Sequence, residues 1–277
     1  MKKTIVALVA LAGVTLAQDS ITLRYLIDCN TFTGNQLSFV NAAEEQYKGS
    51  TEIVSKGFCN YTSSTMDGSS YATTASNDLN WKIENANGIN DGTTTGVLNT
   101  TKGFTITFNG YATSDQNWKD FLSFTVGGQQ YKLELNAGSD LFIYNKDLGT
   151  SSPFASVSNV SKGNWYNYAV SVLGSSYTFS VFNVEGELVS SATTVTNGAT
   201  GNLTGIYNCS NFDAHTSSLY FLDNIAIYDG AIDENGLKAI TREQVAGNGT
   251  LNVVPEPTTA TLSLLALCGL AARRRRK

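Results

Sequence analysis

The chain has 277 residues, of which 15% are charged, and lysine and arginine total 18 against 23 aspartates and glutamates. Two cationic residues stand at positions 2 and 3 and five at positions 273–277, so residues 18–272 carry 11 cationic residues against 23 acidic ones, a net charge near −12. This charge excludes nucleic acid and anionic lipid as favoured partners, because a negative surface repels both.

The first 17 residues have the three parts of a secretory signal peptide. Lys2 and Lys3 supply a positive start, an apolar stretch covers residues 5–16, and small residues precede a cleavage point between Ala17 and Gln18. The alternative, a buried N-terminal strand, is disfavoured because two lysines stand ahead of the apolar run. We therefore expect the protein to be exported.

Four cysteines occur, and Cys268 lies in an apolar segment near the C-terminus. Cys29, Cys59 and Cys209 remain, so an oxidising compartment allows at most one disulfide within the domain. Three pairings stay open: Cys29 with Cys59 closes the shorter loop, and Cys29 with Cys209 is favoured if the first and last strands are neighbours. No Cys-x-x-Cys motif is present, so neither a structural zinc site nor a redox pair is predicted.

Residues 30–99 are rich in Ser, Thr, Asn and Gly, and their strands can be placed only loosely. From residue 103 onward, apolar and polar residues alternate with the period of a half-buried strand. Turns are marked by Gly127-Gly128, by Gly174-Ser175-Ser176, and by Glu185-Gly186-Glu187, which leads into a further strand segment at 188–191. The predicted strands cover residues 104–111, 122–126, 131–135, 141–144, 165–172, 177–182 and 219–228.

One helix is predicted, after the last strand. Asp233 is a favourable N-cap, and Ile232 and Leu237 are spaced for a hydrophobic staple. One face of the helix is lined by Leu237, Ile240 and Val245. Gly236 weakens the helix, so we expect it to be short. Many short strands with a single short helix predict an all-β sandwich or barrel.

Two segments carry a resemblance to a known family. Gly163-Asn164-Trp165-Tyr166-Asn167-Tyr168-Ala169-Val170, with the turn and aromatic strand that follow, resembles the central hairpin of LamG-like, concanavalin A-type domains. The stretch Leu222-Asp223-Asn224-Ile225-Ala226-Ile227-Tyr228, with the short helix after it, is similar to their closing strand. The similarity covers about residues 20–245. It implies an antiparallel jelly-roll β-sandwich, here residues 18–246, with a lectin-like role.

No catalytic group is predicted. Glucanases of this fold place two carboxylates on one strand face in a Glu-x-Asp-x-Glu-type arrangement, and the sequence contains no such motif. Glu185 and Glu187 fall in a predicted turn, where they are expected to be solvated. Glu134 is accompanied on its strand face only by Lys132.

The single histidine, His215, lies in a loop near Asp213. No nucleophile elbow accompanies it, so a Ser-His-Asp triad is not predicted. Asp213 and Asp223 offer oxygen atoms, and many domains of the resembled fold bind calcium, but the spacing matches no calcium loop and no metal or cofactor is assigned. The candidate ligand-binding residues are Trp118, Tyr207, Asp213 and His215. Four aromatic residues are candidates for stacking on sugar rings from loops, with a place in the core as the equal alternative for each: Tyr61, Tyr71, Trp118 and Tyr207.

A linker at 247–254 leads to a C-terminal tail at 255–277. The tail consists of the stiff motif Pro255-Glu256-Pro257, an apolar run at 260–272 and a basic end. As a helix the apolar run is about 20 Å long, against a hydrocarbon core of about 30 Å, so it spans a bilayer only by thinning it or by snorkelling. The basic end, which is expected to stay on the cytoplasmic side, is Arg273, Arg274, Arg275, Arg276 and Lys277.

This tail resembles the PEP-CTERM sorting signal, whose three parts occur here in order and at the right spacing. The resemblance implies a Gram-negative-type envelope, delivery through the inner membrane, and processing near the motif by an exosortase-like membrane enzyme. We expect an exported surface protein that is not an enzyme and that binds or adheres to extracellular polysaccharide. A structural envelope or matrix protein without a small ligand is the alternative, and a glycoside hydrolase is less favoured because the carboxylate pair is missing.

Overall fold

A computed structural model of the full chain describes residues 21–33, 36–41, 52–55, 59–61, 71–73, 81–93, 95–112, 119–135, 139–148, 153–190, 193–208 and 220–245. From residue 27 to residue 73, only backbone is described. All of these residues belong to one unit, Ile21–Val254. The predicted signal peptide, linker and C-terminal tail, including the apolar helix expected at 260–272, lie outside the described residues.

The described residues form sixteen β-strands and one α-helix, with a short 3-10 turn at Lys146–Leu148. The strands are β1 Leu23–Thr33, β2 Gln36–Asn41, β3 Glu52–Ser55, β4 Cys59–Tyr61, β5 Tyr71–Thr73, β6 Trp81–Glu84, β7 Phe104–Ala112, β8 Lys119–Val126, β9 Gln129–Leu135, β10 Leu141–Asn145, β11 Ala155–Val157, β12 Trp165–Leu173, β13 Ser176–Phe182, β14 Thr193–Val195, β15 Leu203–Asn208 and β16 Tyr220–Tyr228; helix α1 is Glu234–Val245.

The strands pair antiparallel in two sheets. One sheet has nine strands in the order β14-β13-β12-β7-β16-β1-β2, with β5 also paired to β16 and β4 paired to β5. The other has seven strands in the order β11-β10-β9-β8-β15-β6-β3. The first strand pairs with the last, in the register Tyr25↔Ile227 and Ile27↔Ile225. The expected antiparallel jelly-roll sandwich is therefore confirmed.

The core lies between the two sheets and is rich in aromatic rings. Phe108 and Tyr168, from the nine-stranded sheet, stack with centroids 5.0 Å apart, and Phe121 from the other sheet lies 5.0 Å from Tyr168. Tyr131 and Tyr177 make a second contact between the sheets at 5.2 Å. Alternation of inward apolar and outward polar residues buries one face of each sheet, and removing one such ring costs about 3–5 kcal/mol.

Helix α1 covers part of the outer face of the nine-stranded sheet. Asp233 caps it, since Gly236 N donates to Asp233 Oδ1 at 2.8 Å. Ile232 and Leu237 are both buried in one apolar cluster with Ile240, which confirms the staple. This second core explains why strands β1, β13 and β16 carry apolar residues on both faces: Leu23, Leu26, Phe182, Ala226 and Tyr228 pack beneath the helix.

Two turns match their prediction and one segment does not. Gly127 and Gly128 have φ of +55° and +81°, as a two-residue hairpin requires. The alternation predicts a strand at 188–191, but in the described part of that segment, residues 188–190, Leu188 makes a single bridge, to Phe182. Asn183 Oδ1 accepts bonds from the N–H groups of Glu185 and Glu187, which closes a tight turn there, and pairing with β13 resumes only at β14.

Candidate ligand-binding face of the seven-stranded sheet

The outer face of the seven-stranded sheet carries a continuous row of polar and aromatic residues. In register, Lys82 on β6 faces Tyr207 on β15, Tyr207 faces Ser123 on β8, Ser123 faces Lys132 on β9, and Lys132 faces Tyr144 on β10. We call these five residues the polar row. They point away from the core because their strand neighbours point into it, namely Ile83, Ile206, Leu122, Phe124, Leu133 and Ile143.

One end of the polar row is a hydrogen-bonded group of three side chains. Glu84 lies two residues from Lys82 on the same face, and Lys82 Nζ donates to Glu84 Oε2 at 2.8 Å. Tyr207 Oη donates to Glu84 Oε1 at 2.8 Å. The bond from Lys82 lowers the pKa of Glu84 below its ordinary value, burial opposes it, and the bond from Tyr207 assists it. Burial and the bond to Glu84 raise the pKa of Tyr207 to about 12.

The other end repeats the Lys-x-Glu pattern in a buried setting. Lys132 Nζ lies 2.7 Å from Glu134 Oε2, and their side chains are 6% and 7% exposed, against 32% and 39% for Lys82 and Glu84. Lys132 Nζ also stands 5.6 Å from the centre of the Tyr144 ring, a cation–π distance. The face is thus open to solvent at Lys82 and closed at Lys132.

Ser123, in the middle of the row, is fully buried, and its hydroxyl has no hydrogen-bond partner among the described residues. A buried hydroxyl without a partner costs about 1–3 kcal/mol, so such groups in native proteins call for an explanation. Its cross-strand neighbours in the polar row are Tyr207 and Lys132, both of which carry polar groups. A ligand hydroxyl that reached this point would satisfy Ser123.

The carboxylates of Glu84 and Glu134 do not form a catalytic pair. Across the sheet from Glu84 on β6, the residues in register are Gly205 on β15, Thr125 on β8 and Gln130 on β9. Gln130 lies four residues before Glu134 on β9. Three strand spacings across the sheet and four residues along it separate the Cα atoms of Glu84 and Glu134 by about 20 Å. Glycosidases need their two carboxyl groups about 5 to 9.5 Å apart. Asp120 stands opposite Glu134 in register, and its side chain lies outside the described residues.

Of the ligand-binding residues predicted from sequence, Tyr207 lies on this face. It was expected on a loop, as were Tyr61 and Tyr71, and all three are in strands; Tyr61 and Tyr71 are a cross-strand pair of β4 and β5. Trp118, Asp213 and His215 lie outside the described residues, as do the signal-cleavage and tail residues.

The cysteine and acidic-residue predictions have mixed outcomes. Cys29 is in β1 and Cys59 in β4, both in the nine-stranded sheet, and only their backbone is described. Cys209 lies outside the described residues, so the disulfide pairing stays a prediction. Glu185 and Glu187 are exposed, as expected, and Glu187 pairs with Arg242 at 2.6 Å.

Neither a metal cluster nor a membrane-spanning helix occurs in the described part of the chain. No three His, Cys, Asp or Glu side chains there are grouped to hold a metal ion. Asp223, considered from sequence as a calcium ligand, is fully buried on β16. No helix there is both long and apolar enough to cross a bilayer, and the predicted tail is not among the residues searched.

Sequence reasoning missed most of the polar row. It placed Glu134 and Lys132 on one face, which the structure confirms, but it did not connect them with Lys82, Glu84 or Ser123. The repeated Lys-x-Glu spacing at 82–84 and 132–134 was the available signal. Only the strand order, which brings β6, β15, β8 and β9 together, shows that the two pairs share a face.

Comparison with known proteins bears on the fold alone. No protein-family profile matches the chain, and no curated protein matches it. Solved structures do. The binding domain of botulinum neurotoxin serotype D has a TM-score of 0.55 at 9% identity over 80% of this chain. The binding domain of botulinum neurotoxin DC, in complex with rat synaptotagmin II, has 0.52 at 10% identity over 82%. A botulinum neurotoxin type C structure, whose cell entry is described as dependent on two ganglioside molecules, has 0.53 at 10% identity over 82%. This chain spans about half of each of them, 52% of their length, and shares their β-sandwich fold.

Proposed function

We propose that this chain is an exported, non-catalytic carbohydrate-binding domain whose binding site is the polar row of the seven-stranded sheet. The observation that carries the proposal is Ser123, a fully buried hydroxyl set between Tyr207 and Lys132, for which the described part of the chain provides no hydrogen-bond partner. Sugar hydroxyls both donate and accept hydrogen bonds, so they can satisfy a serine hydroxyl and the polar groups beside it.

The charge of the face favours a neutral glycan. Each lysine of the polar row is paired with the glutamate two residues along its strand, at 2.7–2.8 Å, so Glu84 and Glu134 neutralise the two cations of the row. The exported part as a whole is strongly negative, which disfavours an anionic polysaccharide. The Tyr144 ring packs beside Lys132 at the closed end of the row, so a sugar would approach from the open end, beside Lys82 and Tyr207.

The fold agrees with a binding role at the level of analogy. The similar structures are described as neurotoxin receptor-binding domains, and one is described with gangliosides, whose headgroups are glycans. Since this chain spans only about half of each, the likeness supports a binding domain and does not identify the ligand. Delivery by a PEP-CTERM-type tail and exosortase-like processing remains part of the proposal, on the strength of residues 255–277.

Substitution of Ser123 tests the polar row as the binding site most directly. Ser123→Ala removes a hydroxyl that no group in the described residues satisfies, so the variant should unfold at the same or higher urea concentration than the parent. The same variant should lose affinity for the glycan found by screening the full chain, purified in detergent, on a glycan array. Ser171→Ala is the matched control, because Ser171 is buried on the other sheet and contacts Thr105 Oγ1 at 3.3 Å.

Three outcomes would count against the proposal. If Ser123→Ala binds as tightly as the parent, the site is elsewhere. If the full chain binds no glycan and co-purifies with insoluble matrix, the structural alternative is favoured. If incubation with the glycan releases reducing ends, and Glu134→Gln abolishes the release, the domain is a hydrolase that uses the carboxylates near Glu134.

A further inference from the structure

Three aromatic side chains form a row on the outer face of the nine-stranded sheet. Trp165 on β12, Tyr111 on β7 and Phe221 on β16 occupy directly opposed positions on three adjacent strands. The Tyr111 ring centroid lies 5.6 Å from that of Trp165 and 6.1 Å from that of Phe221, with the planes tilted by 45° and 49°. We call these residues the aromatic row.

The aromatic row is not core packing among the described residues. Tyr111 follows Gly110, where a Cβ would meet the Tyr168 and Phe108 rings inside the sandwich, so the Tyr111 ring lies on the opposite, outer face. All three aromatic residues are partly exposed, and none belongs to either buried apolar cluster. Aromatic rings left at a surface are a common sign of a binding site.

A second, independent observation points to a ligand beside the row. On the same face and two residues away along the same three strands lie Asn167, Asn109 and Asp223, all fully buried. Asn167 Nδ2 donates to Asn109 Oδ1 at 2.8 Å, and this bond orients the Asn109 amide. Asn167 Oδ1 accepts from Thr241 Oγ1 of helix α1 at 3.1 Å, so the helix holds Asn167 in place. Asn109 Nδ2 is then left as a buried donor that makes no hydrogen bond to any residue that the structure describes. A polar ligand seated on the adjacent Tyr111 ring can supply the acceptor.

We propose that the aromatic row is a second carbohydrate-binding surface, on which the apolar C–H faces of neutral sugar rings stack while a hydroxyl accepts from Asn109. Rings lying side by side on three strands span about 10 Å, two strand spacings, so they present an elongated platform. The strongly negative exported part again disfavours acidic ligands.

A consequence follows for the whole domain, and this consequence rests on the proposed function of the polar row. The aromatic row and the polar row lie on the outer faces of different sheets, hence on opposite sides of the sandwich. One molecule can then hold two glycan chains, or two parts of one matrix, and gain avidity without new contacts.

The test is native gel electrophoresis of the full chain, in detergent, through gels containing dextran, laminarin or galactomannan. Trp165→Ala and Tyr111→Ala should each weaken retardation by a retarding polysaccharide by about tenfold in Kd. Trp165→Phe, which keeps a ring, should retain most of the affinity. Leu173→Ala is the control, because Leu173 is an exposed apolar residue, 53% exposed, at the other end of β12.

The outcomes separate this proposal from the polar-row proposal. If Trp165→Ala loses affinity and Ser123→Ala does not, the aromatic-row proposal is supported and the polar-row proposal is overturned. If Ser123→Ala loses affinity and Trp165→Ala does not, only the aromatic-row proposal is overturned. Full affinity in both alanine variants of the aromatic row overturns it. Acrylamide quenching of tryptophan fluorescence provides a readout without ligand. If Trp165 is accessible, the Trp165→Phe variant should lose a part of the fluorescence that acrylamide quenches in the parent. If the fluorescence lost in the variant is a part that acrylamide does not quench, another segment covers the row and the proposal fails.

Discussion

Lys132 Nζ lies 2.7 Å from Glu134 Oε2 on the outer face of the seven-stranded sheet, in a pair that is almost completely shielded from solvent. The same two residue types at the same spacing, Lys82 and Glu84, make a pair of similar length that is about one third exposed. The two ion pairs have the same residue types, sequence spacing and N–O distance to within 0.1 Å, and they differ in burial, so substitutions in them compare a buried ion pair with a solvent-exposed one.

We expect the two pairs to differ strongly in what one substitution costs. Lys132→Met leaves the Glu134 carboxylate buried without its partner and should lower the free energy of unfolding by about 3–5 kcal/mol. Lys82→Met, at the solvent-exposed pair, should cost about 1 kcal/mol or less. Urea unfolding measures both. Equal losses would show that the Lys132 side is as well hydrated as the Lys82 side.

The double variant Lys132→Met/Glu134→Leu checks the cause of that loss. It removes both charges and replaces them with apolar groups of similar size, so most of the stability lost in Lys132→Met should return. A double variant as unstable as the single one would mean that Lys132 acts through packing, including its contact with the Tyr144 ring, and not through charge.

The hairpin between β8 and β9 provides a matched pair of glycines. At Gly128, with φ +81°, nothing lies within 4 Å of an added Cβ, so Gly128→Ala should cost only the left-handed strain, about 1–2 kcal/mol. At Gly127, with φ +55°, an added Cβ also meets the Thr200 carbonyl. Gly127→Ala should therefore be less stable than Gly128→Ala in urea unfolding, and an equal loss would contradict the close approach of the Thr200 backbone to Gly127.

Glu84 should make stability depend on pH at the acid end. Its pKa in the folded protein lies below the ordinary value of 4.5, so its contribution is fully present above that value and is lost as pH falls through the lowered pKa. Tyr207→Phe removes one of the bonds that lower the pKa and should raise it toward the ordinary value. Carboxyl NMR titration of the parent and the variant measures the shift, and an unchanged pKa would mean that the bond is not formed in solution.

The tail prediction can be tested in a bacterium that has an exosortase. We expect the protein recovered from its envelope to lack residues beyond the Pro255-Glu256-Pro257 motif, and to begin at Gln18. Replacing Pro255 and Pro257 with alanine should leave the tail attached, since the stiff extended handle is lost. Intact mass measurement decides, and an untrimmed parent protein would refute the sorting-signal interpretation.

The strands that sequence located best are those in the second half of the domain. β7, β9, β12 and β13 alternate regularly between glycine turns, and their predicted ranges differ from the observed ones only at the ends. β3, β4 and β5 escaped prediction because they are three or four residues long in Ser- and Asn-rich sequence, where a period of two cannot be recognised. β14 escaped because the turn at Asn183 postpones pairing, which only the partner strand reveals.

Sequence by itself determined the antiparallel sandwich, the cap of helix α1 at Asp233, and the expectation of export and sorting, because each depends on local periodicity, turn chemistry or a contiguous motif. Tertiary structure alone decided which residues share a face. In the aromatic row, Tyr111, Trp165 and Phe221 lie more than fifty positions apart in the sequence. In the polar row, Ser123 lies 41 positions after Lys82, and Tyr207 lies 84 positions after Ser123. Strand order, set by burial of the two apolar faces against each other, brings each group into one row, and no local pattern encodes that order.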